Sequence, residues 1–328
     1  MNPKSRSLIP SAVGNEPIAD IQALSAALAK KRVSIDQCFL ANICEQDPKS
    51  LELHKALRSA HAAGKIICPI HLEESVFESS MLPPALRDQI FALQNSLADG
   101  WSFHSFGQKL AYDTITPVLE WLYPPFRPVD LQIKPGTDFD ALGKINRLGK
   151  KDYITRLSQL SYPPPSYVPG MNAEKIAEFI TAERCGSMYR ILKAIKEKGT
   201  IATGKSEWEY TSAVGEFLLG LRITPRDCDT LIARVIDRQW DAMPIFWAHT
   251  RLNAQIEHGY LVSNRKAKAN DQLDLTRIAV GLNDADVILC DHPMAEVIKQ
   301  SGVLEILDRA HVFSTKQLDA AIDCIKKL

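Results

Sequence analysis

Both ends of the chain alternate short apolar runs with helical patterns, and this alternation restricts the fold more than any other feature. Near the N-terminus, "RVSIDQCFLANICEQD" carries a β-branched segment, Val33 to Ile35, that runs through Asp36 into an apolar pattern of helical period. It reads as a strand followed directly by a helix. The stretch "SLELHKALRSAHAAGKIICPIHLEESVFESS" repeats the arrangement, with a helix ending near Gly64, the strand "KIICPI" and a second helix opening at about Leu72. In the last sixty or so residues "DLTRIAVGLN" is a helix, "ADVILCD" a strand, "PMAEVIKQSG" a helix, "HVFS" a short strand and "TKQLDAAIDCIKKL" a final helix. Strands separated by helices in this way imply a parallel sheet with crossover connections.

The middle of the chain has a different texture. From about Pro83 to Asn264 the pattern is mainly amphipathic and helical, interrupted by "YPPPSYVPG" at 162 to 170, which must be extended or turning. Residues 16 to 31 predict one more helix ahead of the first strand. The expected organisation is therefore a helical extension over 1–32, a small α/β core made of 33–82 and 265–328, and a helical insertion over 83–264. At 328 residues there is ample length for such a core. No run approaches the roughly 18 apolar residues of a membrane span, the first residues lack the apolar segment of a secretory signal, and the seven cysteines are scattered without a CxxC pair. These features are expected of a soluble, cytoplasmic protein with reduced thiols and no structural zinc.

In an open parallel sheet, ligands bind beyond the carboxyl ends of the strands. Asp36 follows "VSI", Asp291 follows "VILC", Glu74 lies about one turn beyond "ICPI", and Asp274 is expected to open the helix "DLTRIAVGL" at the same edge. Asp284 and Asp286 fall at the far end of the last of these strands and read as turn residues. Two readings of the four acids stand side by side. Asp36, Asp274 and Asp291 can each be helix N-caps, worth about 1 kcal/mol apiece, with Glu74 a solvated helix residue. Alternatively, four acids at one edge repel each other unless a cation or a basic partner is present, and carboxylate oxygens are the ligands that Mg²⁺ or Mn²⁺ requires.

The segments "IDQCFL", "CPIHLEES", "NDQLDLTRIA" and "ADVILCDHPM" occur in the order and structural contexts of the PIN-like ribonuclease superfamily, which the chain resembles over about 33–80 and 265–328. The resemblance implies a PIN-like α/β core with catalytic, metal-binding acids at Asp36, Glu74, Asp274 and Asp291. Glu73 can take the place of Glu74 with a shift of one residue, and Asp271 can replace or assist Asp274. The family usually carries Thr or Ser before its last Asp, where this chain has Cys290. The implied activity is hydrolysis of phosphodiester bonds, RNA in preference to DNA, with Mg²⁺ or Mn²⁺ as cofactor and no side-chain nucleophile. His71 and His104 accordingly read as structural or surface residues. A non-enzymatic binding module on the same fold is the alternative that the missing hydroxyl suggests.

Lys plus Arg equals Asp plus Glu at 39 each, so the overall field gives no reason to expect nucleic acid, and local clusters must supply the phosphate contacts. Arg265, Lys266 and Lys268 precede the acid-bearing helix, and Arg147, Lys150 and Lys151 lie in the insertion. Each cluster reads equally as a solvated loop. The insertion could shape a substrate cleft or hold a partner or inhibitory protein. One competing motif is present: "GTIATGKS", 199 to 206, fits the P-loop pattern and predicts a nucleotide-binding protein. Its context is wrong, since charged helical sequence precedes Gly199 where a P-loop needs a buried strand.

Overall fold

The computed structural model describes residues 21–71, 75, 78, 82–104, 106–123, 133–135, 170–201, 209–239, 243–263, 269–307 and 309–328. In chain order, the first elements are helix α1 (Ile21–Leu28), strand β1 (Lys31–Ile35), helices α2 (Gln37–Cys44) and α3 (Pro48–Ala62), strand β2 (Ile66–Ile67), helix α4 (Pro84–Ala98) and strand β3 (Trp101–Phe103). Helix α5 (Phe106–Leu122), strand β4 (Ile133–Pro135) and helices α6 (Ala173–Lys198), α7 (Glu209–Gly220), α8 (Pro225–Ile236) and α9 (Pro244–Ser263) follow. Helix α10 (Ala269–Asp284), strand β5 (Val287–Cys290), helix α11 (His292–Gln300), strand β6 (His311–Ser314) and helix α12 (Leu318–Lys327) complete the chain. The class is α/β: a small parallel sheet with a long, mainly helical stretch between its sequence halves.

Two compact units divide these elements. One takes the described parts of 22–106, 131–177 and 248–328, and the other those of 1–21, 107–130 and 178–247. The first unit holds a four-stranded parallel sheet in the order β2-β1-β5-β6, with Val33 opposite Val287, Ile35 opposite Leu289 and Cys290 opposite Ser314. Consecutive strands β1 and β2 lie to one side of the β1–β5 pair, and β5 and β6 to the other. The direction of winding therefore reverses between β1 and β5, which makes the carboxyl ends of these two strands the natural crevice of the sheet.

One face of the sheet closes over a core of Val33, Phe39, Leu53, Leu57, Ile66, Leu289 and Ile322, all essentially buried. Helices α2, α3 and α12 supply most of it. On the opposite face, α10 lies close enough that a methyl group on Gly281 would touch Ile288 and Ser34. Strand alternation explains the division, since successive side chains of β1 point to opposite faces.

Three features depart from the sequence expectation. The ladder of "KIICPI" is only Ile66–Ile67, because Pro69 has no N–H to donate. The chain recovers a single parallel bridge, Ile70 with Ser102. Strands β3 and β4, an antiparallel pair, lie within the stretch expected to be helical; at three residues each they are too short to show a period. Helix α4 packs on α2 within the sheet unit, burying Ile90 and Leu97, so that unit continues beyond residue 82. No helix among the described residues is long and apolar enough to cross a membrane.

A candidate carboxylate site at the switch of the sheet

Asp36 and Asp291 occupy equivalent places, the first residue after β1 and the first after β5. Each is the N-cap of the helix that follows: Cys38 N donates to Asp36 Oδ1 at 2.8 Å and Met294 N donates to Asp291 Oδ1 at 2.8 Å. The Asp36 amide donates to Leu289 O at 2.9 Å, which ties the two strand ends together. Capping and convergence are thus compatible, because a cap uses one carboxylate oxygen and leaves the second for another partner.

Asp274 reaches the same place differently. Helix α10 begins at Ala269, so Asp274 lies in its second turn and is no cap; the expectation that it opens the helix is corrected here. Asp271 holds the first turn, where an acid complements the helix dipole, and its Oδ2 accepts from the Tyr260 hydroxyl at 2.6 Å. Glu74 and Glu73 lie outside the described residues, as do Arg147, Lys150, Lys151, Arg265, Lys266 and Lys268.

Sequence reasoning missed the residue at the centre of the cluster. Arg277, only 3% exposed, donates from Nη2 to Asp36 Oδ2 and to Asp274 Oδ1, the latter at 2.5 Å. Its Nη1 donates to both oxygens of Glu78, at 3.0 and 3.2 Å. One guanidinium therefore meets three carboxylates from three distant parts of the chain, and a planar fork with five donors is the group suited to that task. Two signals for it were present. Arg277 is a lone cation before the apolar run "IAVGL" at i+3 from Asp274, and Glu78 stands four residues beyond Glu74 in the sequence.

The charges do not balance around Arg277. Burial opposes its own ionisation, yet Asp36, Glu78 and Asp274 outweigh that effect and hold its pKa well above an ordinary arginine value. Burial pushes the Asp274 carboxyl up to about 7; Arg277 opposes this, while Asp36, Asp291 and Asp271 push in the same direction as burial. Asp291 is likewise raised by burial and by Asp36 and Asp271, against the pull of the Met294 amide and Arg277. Among the described residues Asp291 makes no ion pair. Burial and the neighbouring carboxylates thus favour the protonated forms of Asp274 and Asp291, against the pull of Arg277.

His71 packs against β1 through Ser34. It is buried, shares a 2.9 Å hydrogen bond with Ser34 Oγ, stacks on Phe103, and is held well below the ordinary histidine pKa by burial and by Arg277. His104 is also buried. Cys290 is fully buried between Leu289 and Asp291, its thiol pushed far up by burial and then by Asp36. Gly199, the first residue of the P-loop-like motif, ends the 26-residue helix α6 at φ +61°, so a helix precedes the motif; residues 202 to 208 lie outside the described set.

As the side chains stand, no group of three or more His, Cys, Asp or Glu among the described residues is arranged to hold a metal ion. Arg277 takes the centre. The donors are carboxylate oxygens, the type a hard divalent cation takes. Compared with family models, curated proteins and solved structures, the chain matches none.

Proposed function

We propose that the chain is a metal-dependent nuclease of the PIN-like kind, hydrolysing phosphodiester bonds of RNA with Mg²⁺ or Mn²⁺. The observation that supports this reading is the convergence of Asp36 and Asp274 on Arg277 at the reversal point of the sheet, with Asp291 directly after the adjoining strand. The choice of RNA rests on the family resemblance of the sequence. Asp36, Asp274 and Asp291 would hold the cation, with Glu74 and Asp271 as further candidates. A cation so bound would lower the pKa of a coordinated water and neutralise charge on the leaving oxygen.

The chain's own contribution is to fix the carboxylates in advance. The Cys38 and Met294 amides lock the Asp36 and Asp291 side chains by one oxygen each, so neither loses rotamer freedom on binding. Arg277 and Glu78 brace the inner side. Arg265, Lys266 and Lys268, just before α10 in sequence, are the candidate phosphate contacts.

A second reading has its own observation. Arg277 already neutralises part of the cluster, as expected of a binding module that has kept the fold and lost hydrolysis. Assays on labelled single-stranded RNA with Mg²⁺, Mn²⁺ or chelator separate the two. The nuclease reading predicts metal-dependent cleavage that falls at least about a hundredfold, on the order of 3 kcal/mol, in Asp36→Asn and Asp291→Asn. Cleavage that survives both substitutions would overturn it, and RNA retention without cleavage would support the module.

A further inference from the structure

We infer that a buried water bridges His71 and Gln94, completing a hydrogen-bond chain that runs from Ser34 on β1 through the imidazole to helix α4. The inference stands on the sheet unit alone and does not depend on the nuclease reading.

The first link sets the direction of the chain. Ser34 Oγ is buried, and among the described residues its hydrogen-bond partner is His71 Nε2, at 2.9 Å. A buried hydroxyl proton without an acceptor is costly, so Ser34 donates and Nε2 accepts. A neutral imidazole carries a single ring proton, and burial, together with Arg277, keeps His71 neutral. The proton is therefore on Nδ1, and the hydrogen bond at one nitrogen has made the other a donor. Stacking on Phe103, with ring centroids 4.4 Å apart, holds the ring in place.

Gln94 supplies the matching acceptor. It is 9% exposed on α4, and its Nε2 donates to Ser75 Oγ at 3.0 Å. Its Oε1 is buried and makes no hydrogen bond. His71 Nδ1 and Gln94 Oε1 are thus a donor and an acceptor that do not reach each other directly.

Both side chains line one small cavity, whose apolar walls include Ile35, Leu40 and Ile70. The centre of a water-sized sphere has about 10 Å³ open to it there, room for one water. A single water accepting from Nδ1 and donating to Oε1 satisfies both groups, and such a bridge is nearly as favourable as a direct hydrogen bond. The ladder of β2 stops after Ile67, and Cys68 N already donates to Leu97 O at 3.0 Å. The water adds a second polar tie between the sheet and α4 at the place where the ladder ends.

The test uses the full chain and two readouts. Long-range proton–nitrogen correlation spectra of isotope-labelled protein, with His71 assigned by its nuclear Overhauser contacts to Phe103, should show the Nδ1–H tautomer at neutral pH. A high-resolution crystal structure should show one water within hydrogen-bond distance of both His71 Nδ1 and Gln94 Oε1. Gln94→Met keeps the length of the side chain and removes the acceptor. That variant should lose the water from the crystal, and solvent magnetic relaxation dispersion should count one fewer long-lived water in solution.

An Nε2–H tautomer in the native chain would overturn the inference, as would native crystals that show no water there or a direct bond from Nδ1 to Oε1. Retention of the water at full occupancy in Gln94→Met would overturn it too, since the amide would then not be what holds it. Should Gln94→Met fail to fold, the tautomer and the density of the native chain decide.

Discussion

Asp36 is one residue with two tasks, and its two oxygens separate them. Oδ1 caps α2 and Oδ2 pairs with Arg277. Asparagine keeps a capping oxygen and loses the charge, which is why Asp36→Asn tests chemistry with less damage to α2 than alanine would do. The same duality made Asp36 and Asp291 legible in the sequence, since an acid directly after an apolar strand is favoured both as a cap and as a ligand. Arg277 was not legible as a partner. A lone arginine in an apolar helix face signals burial, but the acids it will meet come from residues 36 and 78, and no local pattern names them.

Glu257, on α9, offers an independent reading of buried charge. It is 6% exposed, and burial raises its carboxyl from 4.5 to about 7. A carboxyl raised on folding binds its proton more tightly in the folded state than in the unfolded one. Its contribution is then full below 4.5 and is lost as pH rises through about 7. Melting temperature measured across this window should fall with rising pH in the native chain, and Glu257→Gln should flatten the part of the slope that one proton accounts for. An unchanged slope in the variant would show that Glu257 ionises freely.

Packing between neighbouring elements decides what the sequence pattern leaves open. In the second unit, α7 crosses α6 so closely that a Cβ on Gly215 would lie 2.8 Å from Ile191 Cγ2 and 3.2 Å from Ile201 Cδ1. Alanine favours helices over glycine by up to about 1 kcal/mol, but overpacking costs about 1–3 kcal/mol. Gly215→Ala should therefore be destabilising by about 1–2 kcal/mol in denaturant unfolding; a gain in stability would show that the two helices can move apart. The elements that matched their sequence pattern are those with a full period, such as α3 and β5. The mismatches, Pro69 interrupting β2 and the three-residue strands β3 and β4, are places where the ladder depends on a neighbour rather than on local propensity.

Across the whole molecule, the central claim is that segments more than two hundred residues apart fold to place their acids at one point. The sequence carried the strands, their helices and three of the acids; the order β2-β1-β5-β6 turned those acids from an alternation along the chain into neighbours. The helical residues between the two halves carry no signal of which acids will meet, so the convergence could be read only once the sheet was assembled. The most direct measurement of the claim is an anomalous diffraction map from crystals of the chain soaked in Mn²⁺. The account predicts a peak in contact with Asp36, Asp274 and Asp291. Crystals that bind Mn²⁺ elsewhere, or that leave this cluster without a peak at saturating Mn²⁺, would contradict it.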